Sequence, residues 1–198
     1  MTAVATFVAV ATRVAANADQ PTLAESLAAI SENRAIYGAG GVSRLVAGVA
    51  LIGAAWFLYR TRPDGDRLSG LLAPLVFVLS GLFTAISGVG AIALAAGAPA
   101  PPDSPPETTA YLRSLTGKIG FALAGLALVL DTQYQWKMGR LFRYTALASA
   151  VLGVLMQFIW WDAATLMHRI TGVAFLLWLI VAAGLLLRDR PRPESSAS

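Results

Sequence analysis

This sequence predicts an all-α, polytopic transmembrane helix bundle, and three observations carry that expectation. The first is composition: of 198 residues, 57% are hydrophobic and 13% charged, with a mean hydropathy of +0.65. Soluble domains carry about a quarter charged residues, so the missing charge points to lipid as the solvent. The second is that apolar stretches recur at lengths near the ~20 residues needed to cross a bilayer. The third is that Lys and Arg sit in short clusters between those stretches. We expect five clear spans and a weaker sixth candidate at the N-terminus.

The spans follow in order. Leu45–Tyr59, preceded by apolar Gly38–Val42, is the first, and Leu68–Ala96 the second. Leu115–Leu130, Tyr144–Trp161 and Ile170–Leu187 complete the set. The first and third are short and borrow a turn from their flanks. The second is long and carries Pro74 near its start and Gly88 and Gly90 late, so a tilt or bend is expected there. In domain terms, residues 1–44 form an N-terminal segment, 45–190 the bundle and 191–198 a polar, disordered cytoplasmic tail.

Charge orients the bundle. Nine Lys or Arg fall on one set of alternating loops: Arg60, Arg62, Arg67, Lys137, Arg140, Arg143, Arg188, Arg190 and Arg192. The other set has five: Arg34, Arg44, Arg113, Lys118 and Arg169. The richer side is cytoplasmic, which places the C-terminus inside and the proline-rich loop Pro99–Pro106 outside. Trp56 and Tyr59 at an inner boundary, with Trp160 and Trp161 at an outer one, match the headgroup level that amphipathic aromatics prefer.

The first 44 residues are ambiguous. Val4, Phe7, Val8, Ala11 and Val14 share one helical face, opposite Thr2, Thr6 and Arg13. That pattern suits a weak sixth span, an amphipathic helix on the membrane surface, or a signal peptide cleaved near Ala16-Asn17-Ala18. Thr22 with Glu25 forms a capping box that opens a short polar helix, Leu23–Ile36, which Gly38–Gly41 should end.

The segment "LAAISENRAIYGAGG", followed by a span closing in "FLYR" before a short basic loop, runs within Ala11–Arg67. It resembles a family of bacterial six-helix integral membrane proteins of unknown function. The resemblance implies six helices in a bacterial inner membrane and carries no catalytic residues.

Several chemistries are excluded. There is no cysteine, so thiolate catalysis, disulfides, iron–sulfur clusters and Cys-zinc sites are absent. The one histidine, His168, cannot supply a bis-imidazole haem site within one chain. No cofactor and no enzymatic activity are expected. The basic charge is split into loop clusters, so nucleic acid is not an expected partner.

Two groups of residues remain as candidates. A polar vestibule around the last outer turn would comprise Lys118, Gln157, Asp162, His168 and Arg169. Asp162 beside the imidazole could make a proton acceptor, a pH sensor or simply a clamp on the hairpin. Snorkelling of Lys118 to the interface is the plain reading of that residue. A helix-packing face on the second span comprises Ser80, Gly81, Thr84, Ala85 and Gly88, whose small side chains permit close approach within the bundle or to another chain. Asp131 reads as a solvated or ion-paired group at the inner boundary. The expected function is therefore a structural or accessory membrane protein, its partners being the bilayer and a membrane-protein partner or second copy. The alternative is a small-molecule or proton-responsive protein, or minor transporter, working through the vestibule. A membrane redox subunit ranks third.

Overall fold

The structure is a computed structural model that describes residues 2–18, 20, 22–61, 67–97, 106–137, 140–161 and 165–188. Its elements are α1 (Thr2–Ala15), α2 (Leu23–Glu32), α3 (Arg34–Thr61), α4 (Arg67–Ala96), α5 (Pro106–Lys137), α6 (Arg140–Met156) and α7 (Thr165–Arg188), with a 3₁₀ turn at Gln157–Trp160. The described residues are all-helical, and four helices, α3 to α6, are long and apolar enough to cross a membrane. In α7 the apolar stretch that qualifies is the shorter Ile170–Ala182.

Helices α3, α4, α5 and α6 pack in sequence order, each on the next. Their contacts rest on small residues. A Cβ added at Gly81 of α4 would lie 2.6 Å from the Gly48 carbonyl of α3, and one at Gly48 would lie 2.5 Å from the Gly81 carbonyl. Seven residues along, a Cβ at Gly88 would lie 2.8 Å from the Gly41 carbonyl and one at Gly41 would lie 3.0 Å from the Gly88 carbonyl. Two glycines spaced by seven on α3 therefore face two spaced by seven on α4, and the backbones touch where side chains would otherwise hold them apart. At the α5–α6 contact, Gly125 and Gly153 oppose each other in the same manner.

The main core lies around Leu128, Met156, Phe77 and Phe175, with Ala55, Ala124, Ala127 and Leu152 between them. A second cluster, made of Ala16, Ala18, Ile30, Tyr37, Ala91 and Ala95, closes the other end, where α1 and α2 meet α3 and α4.

Three expectations change. Gly38–Gly41 do not end a helix; they lie inside α3, which runs unbroken from Arg34. Gly40 and Gly41 are needed there because Thr12 of α1 and Ile92 of α4 approach them, at 2.5 and 2.9 Å from where a Cβ would stand. The polar helix ends earlier, at Asn33, while its capping box forms as expected, the Glu25 amide donating to Thr22 Oγ1 at 3.3 Å and the Thr22 amide to Glu25 Oε2 at 3.1 Å. The third span is also much longer than Leu115–Leu130, since α5 covers Pro106–Lys137.

Helix α1 packs on α3 and α7. Its inward face is the small one, Ala9 and Ala16, and the apolar face of Val4, Phe7 and Val14 points away from the bundle. The amphipathic pattern is thus inverted relative to a helix docked on a water-exposed surface.

Candidate functional site

The ladder on α4 serves two neighbours. Gly81, Ala85 and Gly88 meet α3, whereas Ser80 and Thr84 meet α5 at Gly120. Ser80 is buried and its hydroxyl donates to the Gly120 carbonyl at 2.6 Å. The face read as continuous along i, i+4 and i+8 is therefore divided between two helices of the same chain. Both halves are covered from within.

Of the vestibule, Asp162 lies outside the described residues, as do the side chains of His168 and Arg169. Gln157 fastens the 3₁₀ turn to its surroundings, its amide donating to the Ala122 carbonyl of α5 at 3.0 Å and to the Gly153 carbonyl at 3.1 Å. Lys118 is half-buried on α5, one turn before Ala122. Among the described residues no group of three or more His, Cys, Asp or Glu could hold a metal ion.

The most concentrated polar chemistry lies elsewhere, at the end of the bundle closed by α1 and α2. Arg44 and Arg113, counted from sequence with the outer loops, stand on helices three turns into α3 and two turns into α5. Both border a narrow crevice, with room for about one water molecule, whose lining is completed by Ala9, Tyr37, Gly40, Gly41 and Ala91. Ser87 of α4 connects them. Its hydroxyl accepts from Arg44 Nη1 at 3.1 Å and donates to the Arg113 backbone carbonyl at 2.8 Å. The Arg113 guanidinium lies 5.5 Å from the centroid of the Tyr37 ring, within cation–π range. Glycines make the space: a Cβ at Gly90 would fall 3.0 Å from the Arg113 stem, and one at Gly117 would fall 3.0 Å from Ser87 Oγ.

Tyr37 is 3% exposed, and among the described residues its hydroxyl has no hydrogen-bond partner. Thr109, one turn before Arg113 on the same face of α5, likewise holds a buried hydroxyl without a partner among the described residues. Buried hydroxyls are normally satisfied, so open donors beside two guanidiniums call for an explanation. Guanidinium forks match the oxygens of carboxylate and phosphate, and a phenol adds a further donor. Among the described residues, the lining thus gathers donor types that suit oxyanions.

A signal for it was present in sequence. Tyr37, Gly40, Gly41 and Arg44 recur at i, i+3, i+4 and i+7, which is one face of a helix. It was obscured because the glycines read as a helix end.

A second polar group lies at the opposite end. Asp131 is 7% exposed rather than solvated, and its Oδ2 accepts from Gln135 Nε2 at 2.8 Å. The fully buried Ser149 of α6 donates to Gln135 Oε1 at 3.3 Å. Asp131 is buried because it continues the face of Ala124, Ala127 and Leu128, and α6 covers it through Ser149 and Gln135.

No family model, curated protein or solved structure matches this chain.

Proposed function

We propose that the chain is a multi-pass membrane protein that binds an oxyanionic ligand between α1, α3, α4 and α5. In this reading α3 to α7 are five spans, α1 is a shorter sixth element embedded beside them, and the C-terminus is cytoplasmic. The charge asymmetry supports that orientation, and more strongly once Arg44 and Arg113, which stand inside helices, leave the poorer side; the outward apolar face of α1 supports contact with lipid. The crevice then lies toward the outer face of the membrane.

One observation carries the ligand-binding reading: two arginines from different helices converge on one crevice with a buried, unpartnered phenol. Ionisable groups at membrane depth are costly and mark sites of function by default. The accessory-protein reading drew its surface from the α4 ladder, and α3 and α5 cover that ladder. The alternative is the same ligand-responsive class acting at the outer turn of Asp162, His168 and Arg169, whose side chains lie outside the described residues.

Thermal unfolding of the purified protein in neutral detergent tests the proposal. Phosphate titrated at constant ionic strength should raise the melting temperature of the native chain, because a ligand bound to the folded state stabilises it by mass action, about 1.4 kcal/mol at tenfold excess over Kd. The Arg44→Gln, Arg113→Gln pair should abolish the increment. An equal response in both proteins would refute the reading.

A further inference from the structure

We infer that the cytoplasmic rim made by the end of α5 and the start of α6 binds the phosphates of anionic phospholipids. The inference shares the spanning orientation proposed above and is independent of the arginine crevice. Charge singles the rim out. In that orientation three basic clusters face the cytoplasm. Arg60, Arg62 and Arg67 share their segment with Asp64 and Asp66, and Arg188, Arg190 and Arg192 share theirs with Asp189 and Glu194. The third cluster, Lys137, Arg140 and Arg143, lies in a stretch, 132–161, that contains no carboxylate. Asp131, just before it, is buried and accepts from Gln135. Two clusters carry counter-charge in their own segments, and this one must draw it from outside its stretch.

Depth gives the second argument. The apolar span of α6 and its 3₁₀ turn runs over Phe142–Trp160, 19 residues. At α-helical and 3₁₀ rises that is about 29 Å, which matches the ~30 Å hydrocarbon thickness of a bilayer. Arg140 stands just before this span and Arg143 in its first turn, and both are exposed. Helical side chains lean toward the N-terminus of their helix. Both guanidiniums therefore reach outward, to the layer of the lipid phosphates.

The third argument is the company these cations keep. Trp136 and Tyr144 are 52% and 68% exposed, as amphipathic rings are at the headgroup level. The Arg143 guanidinium stands 5.9 Å from the Trp136 ring centroid, so a ring on α5 holds a cation of α6 at the depth of the interface. Arg60 and Trp56 of α3 repeat the pairing at 4.9 Å. Helices α3 and α5 run in the same direction, so both pairs lie in one leaflet. Guanidinium forks match phosphate oxygens, and basic sites on the cytoplasmic side of membrane helices recognise anionic headgroups. An acidic protein segment would answer the charge but not the exposed rings, which a lipid covers with its first methylenes.

Quenching by brominated lipids tests this on the full-length protein reconstituted in phosphatidylcholine bilayers. Trp136 is the reporter, and each chain is measured beside its Trp136→Phe counterpart to isolate that ring. Brominated phosphatidylglycerol at low mole fraction should quench Trp136 as though enriched about fivefold over the bulk, the effect of one cation at an anionic surface. Arg140→Gln with Arg143→Gln should return quenching to the level given by brominated phosphatidylcholine. Arg188→Gln, Arg190→Gln and Arg192→Gln together remove more charge from the same side and should leave the enrichment in place. An equal loss in both variants would make the preference one of net charge and overturn the inference. Native quenching by phosphatidylglycerol no greater than by phosphatidylcholine would also overturn it, while the spanning reading stands. If neither lipid quenches Trp136, the inference falls together with the spans assigned to α5 and α6.

Discussion

Replacing Gly81 by alanine isolates the contact that joins α3 to α4. The new methyl would stand 2.6 Å from the Gly48 carbonyl, 0.8 Å short of the 3.4 Å at which ordinary van der Waals contact begins. Ile52 Cγ1, at 2.7 Å, can swing away, but the Gly48 carbonyl and the Ile52 amide are backbone, so the helices must separate. A gap of 0.5–1 Å forfeits about a quarter to a half of each contact's ~0.1–0.2 kcal/mol. Over roughly thirty close atom pairs along the seam, that comes to about 1–2 kcal/mol, within the ~1–3 kcal/mol usual for overpacking. Alanine also gains about 1 kcal/mol of helix propensity over glycine, which complicates the single variant. Gly53→Ala removes the complication, because a Cβ there meets nothing within 4 Å and carries the same propensity gain. The difference between the two variants therefore reports the seam alone. At about 2–4 °C per kcal/mol for a chain of this size, Gly81→Ala should melt about 2–8 °C below Gly53→Ala when unfolding is followed by tryptophan fluorescence in detergent. Equal melting temperatures would show that α3 and α4 are not in backbone contact at this point, and the packing scheme would fail with them.

Other outcomes follow from the same geometry. Gln135→Ala removes both the 2.8 Å bond to Asp131 and the acceptor of Ser149, so thermal unfolding should show a loss of about 1–3 kcal/mol, whereas exposed Gln133→Ala should melt with the native protein. Ser80→Ala deletes one interhelical hydrogen bond and should cost only about 0.6 kcal/mol, the average found for such bonds in membrane bundles; a cost several times larger would mean that Ser80 does more than bridge α4 to α5. Gln157→Leu should release the turn Gln157–Trp160 from α5, seen as faster amide hydrogen exchange in that turn with α3 and α4 unchanged. The absence of cysteine makes topology directly measurable. An impermeant maleimide should label Pro102→Cys on intact cells and Ser196→Cys only after permeabilisation, and the reverse pattern would invert the orientation.

Much of the architecture was legible because hydropathy reports burial in lipid almost directly. The end of α4 at Ala96, the capping box at Thr22 and Glu25, and the small-residue character of Ser80 to Gly88 could all be read from local pattern. Glycine misled the reading at Gly38–Gly41, since the same residue serves a helix end and a close helix contact. Only the approach of α1 and α4 distinguishes the two, and no local pattern encodes it. Arg44 and Arg113 were misplaced for a related reason. A basic residue near a span boundary is counted as loop charge unless the helix is known to continue past it, and both α3 and α5 do so. Asp131 shows the opposite case, where the buried period Ala124, Ala127, Leu128 and Asp131 was present but the polar identity of the last member outweighed its position.

The glycine contacts on either side of α4 constrain how this molecule can move. Interdigitated side chains can slide by hopping between rotamers, but backbones in direct contact have no such intermediate positions. Helices α3, α4 and α5 therefore behave as one stiff plate, with its thickness set at Gly41, Gly48, Gly81, Gly88 and Gly120. A rearrangement of this part of the bundle must therefore fall on whatever borders the plate. At the arginine crevice that border is α1, 14 residues long and packed on Gly40 through Ala9 and Thr12. Of the helices that line the crevice, the shortest is the one outside the plate.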